Sequence, residues 1–241
     1  MKMSFTRLPL AQENNPLVFT QLSQALGVQP TLGFYDVYSI DDPDLLSFIP
    51  RPVYALLFTC QQAVFFRARD ADYEAMEEYK GSGDSEPAMW FRQTIGHTCG
   101  LMALLHGLSN GEAKQYIKPG SLLAKLLKEA IPLQPTERAK VLYDSQELED
   151  VHMAAATIGD TEAPRSEEPS GNHYICFAKG SDGHLWELNG GMKGPVDRGA
   201  LAENEDMLSE KALQLGVRSF LKHAREEEMD FSMVAMAPSL D

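Results

Sequence analysis

The sequence predicts an α/β fold in which helices pack around a central antiparallel sheet. Three observations carry this expectation. Apolar runs of strand length recur along the chain, and one of them, 53–59, is continuous enough to suit the middle of a sheet. Segments with apolar residues at helical spacing lie between them, the longest at 208–225. Turn chemistry such as Ser181-Asp182-Gly183 joins neighbouring strands closely enough to pair them antiparallel.

Taken in order, Asn15 can cap and Pro16 can open a helix that runs to about Leu26 and closes at Gly27. Leu17, Val18, Leu22, Ala25 and Leu26 recur along it at helical spacing. Residues 33–38 read as a short strand and 44–48 as a single helical turn. The strand 53–59 follows, and 63–69 is expected to fold back against it as a hairpin after Gln61-Gln62. Segment 70–87 reads as a polar surface connection containing Gly81-Ser82-Gly83. An apolar helix over 101–108 stops at Asn110-Gly111, and 121–129, 136–143 and 146–156 read as amphipathic helices. Segment 157–170 has almost no large apolar residue and is the least structured part. Strands follow at 173–179 and 184–189, a short one begins at 194–197, and a long helix over 208–225 precedes a last strand at 231–236. No internal repeat or domain-sized linker interrupts the series, so one domain over 1–241 is expected.

Bulk properties exclude more than they propose. With 241 residues, 44% hydrophobic and 23% charged, the chain has globular composition and room for a sizeable core. A net charge of −14 argues against nucleic acid as a partner, because phosphate binding needs clustered Lys and Arg. A basic partner would instead be steered to this surface. The apolar runs are too short to cross a bilayer, and the first residues lack a secretory signal pattern. Three cysteines, Cys60, Cys99 and Cys176, make no disulfide framework and suit a reducing compartment: the cytosol, shared with the nucleus.

Chemistry concentrates at a few positions. Cys99 stands between Thr98 and Gly100 where an apolar helix begins. Free N–H groups and the positive end of the helix there favour a thiolate, which is the nucleophilic form. The same N–H groups can hold the oxyanion formed when a carbonyl is attacked, and Gln93, six residues upstream, can add a side-chain donor. Taken alone, a cysteine reads more readily as a small buried apolar residue. His173 opens one strand and Asn189 ends the next, so pairing through the 181–183 turn brings both to one end of the sheet. Asn189 is then expected to accept a hydrogen bond from the His173 ring and turn it toward Cys99. His97 reads as a loop residue beside the site, His106 as a structural histidine, and Cys60 and Cys176 as core thiols. His152, His184 and His223 lack metal-ligand spacing, and 81–83 lacks the Lys and Ser/Thr of a phosphate loop, so neither metal nor cofactor is expected.

The run Gln93-Thr-Ile-Gly-His-Thr-Cys99-Gly-Leu-Met-Ala-Leu-Leu-His closely resembles the nucleophile motif of the ubiquitin C-terminal hydrolases. Leu8-Pro-Leu, Phe34-Tyr-Asp-Val-Tyr, Leu45-Leu-Ser, Pro50-Arg-Pro-Val, His173 with its strand, and His184-Leu-Trp-Glu-Leu-Asn-Gly extend the likeness over most of the chain. The resemblance implies an α+β domain that is papain-like at its active site, with a knotted backbone. It also implies thiol-dependent release of small adducts or short peptides from the C-terminal glycine of ubiquitin, or of the related modifier NEDD8, by a monomer. Cys99 would be the nucleophile, His173 the general base and Gln93 the oxyanion donor, while about 157–172 corresponds to a loop crossing the active site. An acidic surface would also suit ubiquitin, which presents a basic tail and face. Two positions depart from the family pattern: Asn189 stands where Asp is usual, and His97 where Asn is usual. The first departure predicts reduced but real turnover and keeps open an alternative, a ubiquitin-binding protein with weak catalysis.

Overall fold

The computed structural model describes residues 14–96, 98–156 and 171–240. The elements begin with α1 (Pro16–Ala25), β1 (Leu32–Asp36), α2 (Pro43–Leu46), β2 (Ala55–Gln61) and α3 (Gln62–Ala75). Next come α4 (Cys99–Leu108), α5 (Leu122–Ala130), α6 (Pro135–Asp144) and α7 (Gln146–Ala156). The chain finishes with β3 (Asn172–Lys179), β4 (His184–Leu188), β5 (Val196–Ala200), α8 (Glu210–Leu215), α9 (Val217–Leu221) and β6 (Ser232–Pro238). Of the expected crossing segment at about 157–172, residues 157–170 lie outside the described residues, as does His97, while Asn172 already opens β3.

Among the described residues the strands make one six-stranded antiparallel sheet in the order β1-β6-β2-β3-β4-β5, the fold class expected. Side-chain alternation along a strand divides the core between its two faces. Ala55, Leu57, Cys176, Ala178, Val234 and Met236 pack on the side that holds α1, α4 and α5. Leu56, Phe58, Cys60, Ile175, Phe177 and Ala235 pack on the other, against α3, α8 and α9. Central strand β2 is thus buried on both faces, which is why its sequence is a continuous apolar run rather than an alternating one.

All ten residues of α4 are buried. Fully covered leucines such as Leu104 and Leu105 contribute roughly 1.5–3 kcal/mol each by leaving water. The helix lies hard against the sheet at Gly107, where a Cβ would come within 2.9 Å of Met236 Cε and 3.1 Å of Ala55 Cβ. This close seat fixes the depth at which its first residue, Cys99, meets the strands.

Two sequence expectations are corrected. Residues 63–69 belong to the helix α3 and do not return as a hairpin strand. Val64, Phe65 and Arg69 are its buried positions, a helical spacing that carries Arg69 to Glu187 on β4. The long helix expected at 208–225 is two short ones, broken at Gly216. A Cβ there would stand 3.0 Å from the Ala212 carbonyl and 3.3 Å from the Phe177 ring, so the chain bends where the glycine lets it approach the sheet.

Candidate active site

The β2–β3 ladder continues to Gln61–Asn172, whereas the β3–β4 ladder stops at Cys176–Leu188. The sheet therefore opens between β3 and β4 at the end where β3 starts. Three of the four residues singled out in the sequence reach this opening directly, and the fourth is tied to its edge.

Cys99 is the first residue of α4, and Thr98 before it makes no side-chain cap. The Thr98 hydroxyl instead donates to the Ile95 carbonyl at 2.9 Å, leaving the first N–H groups of the helix without a side-chain cap. The Cys99 sulfur is hydrogen-bonded to the backbone N–H groups of Tyr174, Gly100 and Cys99 itself. Burial pushes its pKa up, and these three donors act against that shift. The backbone N–H groups thus favour the thiolate, and desolvation opposes them as the larger effect. Cys60 and Cys176 are fully buried core thiols, with Cys60 pushed up to about 12 by burial.

His173 sits beside Tyr174, and its ring packs 4.3 Å from the Phe65 ring of α3. Burial lowers its pKa, while the negative charge of Glu187 acts in the opposite sense. Asn189 follows β4, is 2% exposed, and places its side-chain nitrogen 2.7 Å from His173 Nε2. Its Oδ1 accepts the Gly191 N–H at 2.8 Å. Asn189 therefore meets the ring as expected, but with its donor and not with the acceptor that the sequence suggested.

Gln93 donates its backbone N–H to the Gly190 carbonyl at 2.9 Å and its side-chain amide to the Ile95 carbonyl at 3.2 Å. The approach is close enough to require glycine at 190, where a Cβ would lie 2.8 Å from Gln93 Cβ. The segment leading to Gln93 is held by residues whose positioning role the sequence did not show. Asn110 accepts the Met89 N–H at 2.7 Å and donates to the Met89 carbonyl at 2.8 Å. His106 Nε2 accepts the Phe91 N–H at 3.0 Å, and buried Arg138 donates to the Trp90 carbonyl at 2.8 Å. Trp90 Nε1 closes the set by donating to the Asn189 carbonyl at 3.0 Å. The one signal for these in the sequence was the four-residue spacing of His106, in the last turn of α4, and Asn110, just past its end.

Behind the ring runs a buried ionic network. Glu187 has no exposed side-chain surface and accepts Arg69 Nη2 at 2.8 Å and Arg198 Nε at 2.8 Å. Arg69 also lies over the Phe220 ring, 3.9 Å from its centroid. Because Glu187 is two residues before Asn189, this network anchors the strand that delivers Asn189 to the ring.

A cysteine at an uncapped helix terminus, with its sulfur against the N–H of the residue that follows His173, suits attack of sulfur on a carbonyl carbon. Comparison with known proteins agrees with this chemistry. The model of the family described as "Ubiquitin carboxyl-terminal hydrolase, family 1" matches residues 10–222. Ubiquitin carboxyl-terminal hydrolase 3 of Arabidopsis thaliana is 36% identical over 194 residues, covering 80% of this chain and 79% of that protein. Ubiquitin carboxyl-terminal hydrolase isozyme L1 of Homo sapiens is 32% identical over 228 residues, covering 93% of this chain and 96% of that one. In fold, the chain is similar to the UCH37 catalytic domain of Trichinella spiralis, solved bound to ubiquitin vinyl methyl ester. The TM-score is 0.71 at 17% identity, with 94% of each chain covered.

Proposed function

The chain belongs to family 1 of the ubiquitin carboxyl-terminal hydrolases, cysteine-type deubiquitinating enzymes, and from that premise we propose that Cys99, His173, Asn189 and Gln93 perform its hydrolysis. The observation that carries the assignment is the 2.7 Å contact of Asn189 with His173 Nε2, beside a Cys99 sulfur that accepts the Tyr174 N–H. With Asn189 at Nε2, Nδ1 is the ring nitrogen left to take the Cys99 proton, which it can do once the ring's own proton sits on Nε2. The thiolate then adds to the carbonyl carbon of the C-terminal glycine of ubiquitin. The resulting oxyanion is held by the helix-terminal N–H groups and by the second amide hydrogen of Gln93. Protonated His173 gives its proton to the leaving amine or alcohol as the carbon–heteroatom bond breaks, leaving a thioester on Cys99. Water, deprotonated by His173, attacks the thioester and releases ubiquitin with a free carboxylate and Cys99 as the thiol.

The substrate in this reading is ubiquitin bearing a small adduct or short peptide. The net charge of −14 supports a basic partner of that kind. The three free cysteines suit work in a reducing cytosol or nucleus. A second reading, a ubiquitin-holding protein with feeble catalysis, is favoured by one observation, the donor that Asn189 turns toward His173. Turnover of ubiquitin carrying a fluorogenic C-terminal amide separates the two. Turnover in the wild type that vanishes in Cys99→Ala supports the hydrolase. Tight ubiquitin binding with no turnover supports the holding protein.

A further inference from the structure

The Asn189 side chain meets two groups at once. Gly191 N–H is a donor and nothing else, so the amide oxygen must face it, 2.8 Å away. The amide NH2 is thereby turned to His173 Nε2 at 2.7 Å. A hydrogen bond forms there only if Nε2 carries no proton, which places the proton of a neutral ring on Nδ1. The opposite amide orientation would set NH2 against the Gly191 N–H. One amide oxygen and one NH2 cannot satisfy two donors placed on either side of them.

We propose that the Gly191 N–H pins Asn189 as a donor to His173, so that the resting site holds a neutral Nδ1–H imidazole beside a Cys99 thiol, and the Asn189–Gly191 turn must yield before Cys99 loses its proton. This inference deepens the hydrolase reading and rests on its assignment of Cys99 and His173. The proton balance makes the requirement explicit. For Nδ1 to receive the sulfur's proton, its own proton must first sit on Nε2. There it opposes the amide NH2, until the amide turns over and releases Gly191 or the turn shifts. The imidazolium, protonated at both nitrogens, meets the same opposition. Asn189 is thus a positioning residue that holds the wrong tautomer for general-base work. A carboxylate at 189 would accept from Gly191 and Nε2 together and remove the conflict. Among the described residues, the charged groups around the ring are Glu187 of β4, neutralised by Arg69 of α3 and Arg198 of β5, with Asp70 of α3 lining the cavity beside Gly191. Cys60 of β2 is the strand partner of His173. None of these groups contacts Nε2 in place of Asn189.

The test reads the tautomer without using ubiquitin. Long-range nitrogen–proton correlation spectra of protein labelled with ¹⁵N-histidine are expected to show His173 protonated at Nδ1 alone in the wild type, and at both nitrogens in Asn189→Asp. Alkylation of Cys99 by iodoacetamide at pH 7, followed by mass spectrometry, should be at least ~10-fold faster in Asn189→Asp. Turnover of the fluorogenic ubiquitin amide should rise in kcat by ~10-fold or more, with a ceiling of ~10⁴-fold set by the tautomer effect in serine triads, and KM little changed. In Asn189→Ala alkylation should also quicken, whereas a residue that only aims the ring would make it slower. A wild-type His173 protonated at Nε2 overturns the proposal even if every variant fails to fold. The expected spectra together with no ubiquitin turnover in any variant would support the tautomer and remove the hydrolase reading instead.

Discussion

Glu187 offers the sharpest test of how the site is supported. Replacing it by Gln keeps its volume and leaves two buried guanidiniums, Arg69 and Arg198, without their shared anion. Arg69 keeps its 2.6 Å bond to Ser219 and its place over Phe220, and Arg198 keeps Asp72 at 2.8 Å, so the pocket persists while its charge balance does not. Removing one partner of a buried ion pair costs about 3–5 kcal/mol. For a chain of this length that corresponds to a fall in Tm of roughly 10 °C. Urea unfolding at pH 7 measures it, with Arg69→Met and the double variant completing a cycle. The double variant should cost less than the sum of the singles by about 1–2 kcal/mol, because Arg69→Met removes one of the stranded cations. Activity should fall as well, since the charge that raises the His173 pKa is lost and the strand before Asn189 loosens. A cost below about 1 kcal/mol for Glu187→Gln, or strict additivity, would refute the view that this network anchors β4.

Two further outcomes follow from the geometry. His106 and His152 are both held near pKa 4 by burial, well below the ordinary histidine value of 6.5. Below that value the unfolded chain binds protons that the native state refuses. The unfolding free energy should therefore drop by roughly 2 kcal/mol per histidine between pH 7 and pH 5. Urea unfolding at the two pH values checks this; His152→Leu should shrink the drop by roughly 2 kcal/mol, and an unchanged slope would refute it. Gly190→Ala would push the Gln93 backbone, 2.9 Å from the new Cβ, away from the Asn189 turn. A displacement of that order should lower kcat by about 10²-fold with modest loss of stability, read by steady-state kinetics beside urea unfolding. Unaltered kcat would mean that the Gln93–Gly190 contact does not align the site.

Much of this molecule is legible one segment at a time. Asn15 and Pro16 start α1 as capping chemistry requires, with Asn15 accepting the Leu17 N–H at 2.9 Å, and Ser121 does the same for α5. The strands at 173–179 and 184–189 follow from their turn and their apolar pattern, which already placed His173 and Asn189 near one another. The nucleophile run from Gln93 to Cys99 is local, so its resemblance to a family could be recognised without a fold. These features depend on residues close in sequence, where capping, turn geometry and periodicity act.

Only the tertiary structure decided the rest. Segment 63–69 is as apolar as a strand. It becomes a helix because Arg69 must reach Glu187, 118 residues away, and Phe65 must pack on His173. The break at Gly216 answers to Phe177 on the sheet beneath it, which no neighbour in sequence reveals. Burial raises the Cys99 pKa above what its helix terminus alone suggests, because desolvation is a property of the assembled core. Asn189 shows the same division at a single side chain. The residue type and its nearness to His173 could be read from sequence, but whether it accepts or donates could not. That depends on a backbone N–H two residues further on, whose direction is set only when the 189–191 turn is packed against Gln93.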